Sequence, residues 1–432
     1  MDEQGKILRF ALNALVKVGA DKAQCQLHIM DKYEFLQEPT RINMLRTTRN
    51  EKLSLTAIKD KRLVETTVNI LDEANIKSTV DKLMSDLHGS PQDDSYDIAP
   101  AQSTEIFDNG LTTPDLRKMY ELLTKFIKTT NNRYPSINLH DVVFDFTRET
   151  KKVVNTNGAD LTSGFGKYSV LIPFSAKDKV KVSSENCTLL VLDQLNAPIQ
   201  DNPAIDELLR QGVEQLEAKP VPGKFKGDIV IYPWAFDDFI YYLSIAALRD
   251  NALLEGNSIY QNKLGKQIAD SRLSLHSRPV SRELADGYFI TADGHKAQNI
   301  TLIDNGVLKN FLLSQYGAAK TGLPNPKNDG NCYVVDSGDT SFSDMIKSVR
   351  RGLLLMRFLC DNPNKNGDFS GIAKHSYYIE DGLIKFPVTD TMISGNIPQM
   401  LMNIQAISRE RINTGTNLHP WITCSGVTVS GQ

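Results

Sequence analysis

The sequence predicts an α+β protein of two domains, in which helices and strands are mixed in the first domain and strands dominate the second. Helical and strand periodicities both occur along the chain, but they do not alternate in the regular way of βαβ units. One segment, Ala218-Lys219-Pro220-Val221-Pro222-Gly223, has two prolines and a glycine, which end both helices and strands. We therefore predict domains at residues 1–218 and 224–432.

The N-terminal domain is predicted to begin with a helix, a run of strands and a second helix. Leu8, Leu12 and Leu15 recur at helical spacing, and Gly19 is expected to end this first helix, which covers residues 2–18. In the strand region, apolar residues alternate with polar ones, as in a half-buried strand. The strands are predicted at residues 23–30, 41–46, 52–59 and 63–68, and the second helix at residues 72–87.

The segment from Gly89 to Pro114 is polar and irregular, which is typical of a long surface connection. We expect proteases to cut residues 89–102 before the core, because exposed and unbonded backbone is cleaved first. A helix is predicted after this segment over residues 113–130, with Thr112 or Thr113 as its cap and Pro114 in its first turn.

The rest of the N-terminal domain is predicted to be a meander of strands followed by a helix over residues 203–216. Asn157-Gly158 provides a type I′ turn between two of the strands. The strands are predicted at residues 142–147, 153–156, 168–176 and 188–192.

The C-terminal domain is predicted to open with a buried strand at residues 227–232 and a helix at residues 234–248. This helix is apolar almost all round, so we expect it to be buried on all sides. A second helix is predicted at residues 343–358. Later, two short strands are joined by a hairpin turn at Asp381-Gly382, and Ser394-Gly395-Asn396 precedes a short helix.

Composition argues against several classes of partner. The chain of 432 residues has a formal net charge of −3, so it lacks the basic footprint that nucleic-acid binding requires. Its longest apolar stretches fall well short of the roughly 20 residues that a membrane span needs. No secretory signal precedes the first helix, and five scattered cysteines do not suggest a disulfide framework. We predict a cytoplasmic protein that binds neither nucleic acid nor membrane.

No local motif for catalysis or metal binding is present. No two of the seven histidines lie within five residues, and none is followed by glutamate. The nucleophile motif Gly-x-Ser-x-Gly and the phosphate-binding loop are also absent. We therefore predict no catalytic, cofactor-binding or metal-binding residue and no cofactor. A metal site assembled from distant residues, such as His276, His295 and Cys332, is the open alternative.

Several C-terminal segments occur in an order that resembles the TldD/PmbA family, the peptidase-associated "modulator of DNA gyrase" proteins. The segments lie at residues 257–265, 305–322, 366–371, 378–388, 394–400 and 420–431. The resemblance implies the fold of that family, and it is sharpest after residue 226. In the N-terminal half it rests on the order of strands and helices.

The zinc ligands of the catalytic members of this family are missing here. Those members carry His-Glu-x-x-x-His on the helix before the segment that contains Ser258. An ungapped placement puts the motif at residues 241–246, which read Tyr-Tyr-Leu-Ser-Ile-Ala. The third ligand is a cysteine upstream of the final strand, yet no cysteine lies between Cys360 and Cys424. The resemblance thus implies the PmbA (TldE) type, which lacks metal.

What the resemblance implies about function is a non-catalytic subunit of a cytoplasmic metallopeptidase. Its partner would be a TldD-like zinc peptidase subunit, and its substrate an extended, unfolded peptide. The alternative is a stand-alone homodimeric peptide- or protein-binding module without protease activity, and a third reading is a metalloenzyme with unrelated ligands. We expect a homo- or heterodimer formed through residues 224–432, with Tyr241, Tyr242 and Leu243 filling the place of the zinc site.

Overall fold

The computed structural model describes residues 2–38, 41–360 and 363–431. It confirms the α+β prediction, because the described strands form two sheets, one of eight strands and one of thirteen, and helices occur in both parts of the chain. The first sheet is built from residues before 193 and the second from residues after 224. Within the described residues, no helix is both long and apolar enough to cross a membrane.

The N-terminal part contains four helices and eight strands. The helices are α1 (Glu3–Lys17), α2 (Glu73–Ser85), α3 (Leu116–Arg133) and α4 (Pro203–Glu214). The strands are β1 (Lys22–Glu38), β2 (Arg41–Lys59), β3 (Arg62–Val68), β4 (Glu105–Gly110), β5 (Ile137–Leu139), β6 (Val142–Asn155), β7 (Asp160–Ala176) and β8 (Asn186–Leu192). The strand order is β3-β2-β1-β6-β7-β4, and both β5 and β8 also pair with β7.

The C-terminal part contains five short helices and thirteen strands. The helices are α5 (Pro233–Leu243), α6 (Asp250–Leu254), α7 (Gln315–Thr321), α8 (Phe342–Ser348) and α9 (Ile397–Met402). The strands are β9 (Phe225–Ile231), β10 (Leu275–Ser277), β11 (Ile300–Asp304), β12 (Val307–Leu308), β13 (Tyr333–Val335), β14 (Arg351–Leu355), β15 (Arg357–Cys360), β16 (Asp368–Lys374), β17 (Tyr377–Glu380), β18 (Leu383–Pro387), β19 (Thr391–Asn396), β20 (Ile404–Asn413) and β21 (Leu418–Ser430). Strand β9 lies between β21 and β14.

One face of the N-terminal sheet is apolar and the other is polar. Helices α1 and α2 pack on Cys25 and Leu27 of β1, whereas α3 and α4 pack on Phe144 of β6 and its neighbours. Because strand side chains alternate between faces, Gln24 and Gln26 point to the opposite side. Their side-chain amides donate to the backbone carbonyl oxygens of residues 293 and 292, at 3.0 and 2.7 Å. The polar face therefore contacts the C-terminal part.

The apolar core does not stop at the predicted domain boundary. One cluster of buried side chains joins Leu208 of α4 and Leu190 of β8 to Tyr232, Leu354 and Tyr377 of the C-terminal sheet. The residues that build the two sheets lie before and after residues 218–224 in the sequence, yet the two sheets share this core. The division into domains at residues 1–218 and 224–432 stays a prediction.

Two pairs of predicted strands are each one long strand. Residues 41–46 and 52–59 belong to the continuous strand β2, and residues 142–147 and 153–155 belong to β6, which ends one residue before the predicted strand does. The polar stretch between the first pair stays in the sheet because it pairs with β1 along its whole length. Arg49 in this stretch donates to Asp31 at 3.0 Å and to Glu51 at 2.7 Å, so its charge is neutralised there.

The predicted helix at residues 343–358 is wrong beyond Ser348, because the chain continues as β14 and β15. Leu353 and Leu355 enter the core cluster on one side of the sheet, while Leu354 and Met356 enter the cluster on the other side. A strand buried on both faces is a continuous apolar run, which periodicity alone does not distinguish from a helix. The predicted hairpin at Asp381-Gly382 is correct, and both residues have positive φ.

The surface connection predicted from Gly89 to Pro114 is also wrong in part. Ile98 and Ala99 are buried, and the side chain of Asn155 donates to the carbonyl oxygen of Ala99 at 2.8 Å. Residues 105–110 form β4, which pairs with β7 in parallel. The following helix begins later than predicted, at Leu116.

The cap of this helix also differs from the prediction. The carboxylate of Asp115, rather than the hydroxyl of Thr112 or Thr113, accepts from the backbone N–H of Lys118 at 2.9 Å. A carboxylate is as good a cap as a hydroxyl and also interacts favourably with the helix dipole.

We expect proteinase K to cut the loop at residues 177–185 before residues 89–102. This loop carries Val180, which is 89% exposed, whereas the backbone near Ala99 is bonded and buried. Local accessibility of the backbone decides where cleavage begins. Mass spectrometry of the first fragments will locate the cut, and an initial cut at residues 96–102 would contradict the structure.

Candidate functional site

Helix α5 is the element on which the family motif would fall. Pro233 occupies its first turn, and the helix continues as a single π turn over Ser244–Leu248. Phe236, Phe239 and Ile240 pack into the core, but the prediction of burial on all sides is wrong. Tyr241 is 57% exposed and Ile245 is 41% exposed, so one face of this helix is open.

Tyr242 lies beside this open face of α5 and contacts strand β15. Its hydroxyl donates to the backbone carbonyl oxygen of Cys360 at 2.7 Å, and its ring meets the ring of Phe358 edge-on at 6.5 Å. A pocket of about 260 Å³ lies beside it, between Ile245 and Ala252 on one side and residues 363–365 on the other. The lining is mostly aliphatic and amide, with Glu255 as its acidic residue.

The residues at this place do not fit a zinc ion. Zinc is bound by imidazole, thiolate or carboxylate groups, but residues 241–246 offer only phenol, hydroxyl and aliphatic side chains. The hydroxyl of Ser244 accepts from the Arg249 guanidinium at 3.1 Å. Cys424 is buried within β21, where burial raises the pKa of its thiol to about 12.

The distant residues weighed as an alternative metal site do not converge. His276 contacts the Thr301 hydroxyl at 3.0 Å through Nδ1, and His295 contacts Gln315 Oε1 at 2.8 Å through Nε2. Burial raises the pKa of the Cys332 thiol to about 12. Across residues 2–38, 41–360 and 363–431, no three His, Cys, Asp or Glu side chains gather where a metal ion could be held.

A buried polar cluster on the first turns of α5 was not anticipated. His419 of β21 is only 2% exposed, and its Nε2 lies 2.5 Å from Asp237 Oδ1. The side-chain amide of Asn417 donates to the other oxygen of Asp237 at 3.1 Å. Asp237 is about 180 residues away from each of these partners in the sequence. No local sequence pattern could therefore have identified the cluster.

The neighbouring Asp238 is the most perturbed carboxyl group of this cluster. Its pKa is raised to about 7, mainly by burial, while the Arg357 guanidinium opposes the rise and the nearby Asp237 adds to it. Arg357 is itself held in place, because it lies 4.8 Å over the Trp234 ring and donates to the carbonyl oxygen of Cys187. Through Arg357, the cluster connects α5 to strand β8 of the N-terminal sheet.

Asp238→Asn should stabilise the protein at pH 8 and have little effect near pH 4. The folded-state pKa lies above the ordinary value of 3.8, so the folded state binds the proton more tightly. The contribution of Asp238 to stability therefore falls as pH rises from about 4 to about 7. We expect a gain on the order of 1–2 kcal/mol at pH 8, after discounting for solvent screening.

Thermal unfolding followed by circular dichroism between pH 4 and pH 8 measures this effect. Asp81→Asn, at an exposed carboxylate of α2, is the matched control and should not change the pH profile. Equal pH profiles for the Asp238→Asn variant and the unmodified protein would show that this carboxyl group is not destabilised by its surroundings.

Comparison with known proteins gives a consistent result. Residues 223–431 match the model of the PmbA/TldA metallopeptidase C-terminal domain. A metalloprotease of Methanothermobacter thermautotrophicus is 30% identical over 230 residues, which are 49% of this chain and 50% of that protein. A metalloprotease PmbA homologue of Haemophilus influenzae is 25% identical over 64% of this chain and 66% of its own length. The chain thus spans about half to two thirds of the curated relatives it matches.

The fold is shared with a solved structure over its full length. The crystal structure of TldE from Thermococcus kodakarensis superposes with a TM-score of 0.82, covering 99% of this chain and 100% of that one. The sequence identity is 19%, so this likeness concerns the fold alone.

Proposed function

The chain belongs to the TldD/PmbA family, and from this premise we propose that it is a PmbA/TldE-type subunit without a catalytic zinc site. The observation that carries this proposal is the composition of α5, where residues 241–246 provide no zinc-binding side chain. The hydrogen bond from Tyr242 to Cys360 supports a structural role for the same segment. The partner would be a TldD-like zinc peptidase subunit, and the assembly would act in proteolysis or peptide processing in the cytoplasm.

The proposed substrate is an extended, unfolded peptide. A peptide in this conformation is held by main-chain hydrogen bonds, which are independent of its sequence and need no catalytic group on this subunit. Cys25, Cys187, Cys332 and Cys424 are free thiols, which is compatible with a reducing compartment. A stand-alone homodimeric binding module is the competing function, and the experiments below separate the two.

We expect the isolated chain not to hydrolyse casein or unstructured peptides, with or without added zinc. Activation of water at neutral pH needs a bound metal ion or a poised base. Activity should appear when the TldD-like subunit of the same host is added, and it should vanish when the glutamate of that subunit's His-Glu-x-x-x-His motif is replaced by glutamine. Chelator-sensitive cleavage by the isolated chain would refute the non-catalytic assignment.

We expect association through the open face of α5, in residues 224–432. Exposed aromatic residues are common anchors of protein interfaces, and Tyr241 is such a residue here. Tyr241→Asp should weaken dimer formation, as measured by light scattering at micromolar concentration and by co-purification with the TldD-like subunit. Ile106→Asp, at an exposed apolar residue of β4, is the matched control. If the chain stays monomeric and does not co-purify with the TldD-like subunit, both the homodimer and the heterodimer are contradicted.

A further inference from the structure

Strand β2 has a long free edge. Strand β1 pairs with β2 along the whole of its length, but β3 pairs only with residues 53–59. Within the described part of the chain, residues 42–52 therefore have no strand on their outer side. The unpaired N–H and C=O groups of such an edge are a template for another strand. Proteins usually protect such an edge with charged side chains or a bulge, so the side chains along this one decide whether it is accessible.

Both arginines of this edge are turned to their own sheet. Arg46 forms an ion pair with Glu34, and Arg49 forms ion pairs with Asp31 and Glu51. Asp31 and Glu34 both belong to the neighbouring strand β1, so these guanidinium groups lie over the sheet and not along its free side. Exposed Lys52 stands at one end of the edge. The register of β2 on β1 shifts between Ile42 and Met44, so the regular part of the edge that is open to a further strand is residues 44–52.

A groove runs between this part of β2 and helix α3, with Ile42, Tyr120 and Ile127 as its apolar side chains and Thr124, Lys128, Asn131 and Asn132 as its polar ones. A pocket of about 460 Å³ is lined by Ile42 on one side and by residues of α3 on the other. The residues of α3 share one helical face, at positions 120, 124, 127, 128 and 131. Leu45 and Tyr120 are 51% and 50% exposed beside the groove, and the ring of Phe35, which pairs with Leu45, lies 6.0 Å from the Tyr120 ring.

Helix α3 makes this groove basic. Its sequence has five cationic residues and one acidic residue, Glu121. Arg117 pairs with Glu121 and Arg133 pairs with Asp206, whereas Lys125 and Lys128 are exposed and form no ion pair with the described carboxylates. Lys128 lines the groove and Lys125 lies one turn before it. The lining of the groove thus contains one cationic side chain, Lys128, and no carboxylate.

We propose that an extended, acidic segment of a partner polypeptide binds here by adding to β2 as a further strand. Its backbone would pair with residues 44–52, about 4.8 Å from β2. Because side chains alternate along a strand, one apolar side chain would enter the groove beside Leu45 and Tyr120. Carboxylates two residues before and after it, which share the same face of the strand, would lie near Lys128 and, one turn before it, Lys125. This binding mode supplies affinity through the main chain and selects for charge through α3.

This inference uses only residues of the N-terminal part, so it does not rest on the proposed function. A chain that proves to be catalytic, or that never meets a TldD-like subunit, would still carry this groove. Conversely, loss of acidic-peptide binding would leave the zinc-free assignment of α5 unchanged.

The probe is a fluorescein-labelled decapeptide with one central valine, glutamates two and four residues from it on the same strand face, and threonine at the intervening positions, titrated with the full chain at low ionic strength. Fluorescence anisotropy should detect binding that weakens as salt is added, because exposed charges are screened. The double variant Lys125→Glu/Lys128→Glu should bind at least about tenfold more weakly, since opposed charges become like charges. Lys77→Glu, at an exposed lysine of α2, is the matched control and should bind as the unmodified chain does.

Two further peptides test the geometry. A decapeptide with lysine in place of glutamate should not bind, and one with N-methylated backbone at alternate residues should bind at least about tenfold more weakly because it cannot pair with a strand. Leu45→Asp should also weaken binding of the original peptide, with circular dichroism confirming that the variants are folded. Equal affinity of the lysine peptide, the methylated peptide or the double variant would overturn the proposal.

A second copy of the chain is the other possible occupant of this edge. Analytical ultracentrifugation of the Leu45→Asp variant distinguishes it. A dimer that dissociates in this variant, together with no binding of the acidic peptide to the unmodified chain, would show that the edge serves self-association and would also overturn the proposal.

Discussion

The burial of both faces of the central C-terminal strands is the constraint on which the rest of the structure depends. In β9, Ile229 and Ile231 face one core cluster and Val230 faces the other. The first cluster receives α5, and the second receives α3 and α4 of the N-terminal part. Truncating such a residue to alanine typically costs about 2–5 kcal/mol. Truncation of these β9 side chains would therefore weaken two contacts at once, the packing of α5 on the sheet and the packing of the N-terminal part on it.

This constraint also explains the two unlike sides of α5. One side is fixed by the core, so its backbone is held whether or not it bears a functional group. On the other side Tyr241 is exposed, and Tyr242 closes the space towards β15. The scaffold can thus keep its shape while the residues at the site change, which is why function has to be argued from the site and not from the fold. In this chain residues 241–246 offer contact area and no zinc-binding side chain.

The sequence alone was sufficient to predict the fold where local chemistry determines the backbone conformation. The hairpin at Asp381-Gly382 needs two residues with positive φ, and the sequence provides a pair that tolerates it. It was insufficient where long-range packing decides. Residues 353–356 are apolar because both sides are buried, and this erases the alternation that marks a strand. The Asp237–His419 contact joins residues that are distant in sequence, so only the pairing of β21 with β9 could bring them near each other.

The two parts of the chain are joined by two chemically different interfaces. The apolar one is specific for side-chain shape, because neighbouring side chains must fill one core. The polar one consists mainly of side chains that donate to backbone oxygens. The Lys151 amine donates to the carbonyl oxygens of Ile290 and Thr291 at 3.2 and 2.9 Å, and burial lowers its pKa. Backbone acceptors are present whatever residues occupy 290–293, so these hydrogen bonds do not by themselves select the side chains there. The side chains are selected by packing instead, because Ile290 is buried against Val153 and Leu161 of the N-terminal sheet and Thr291 is also buried.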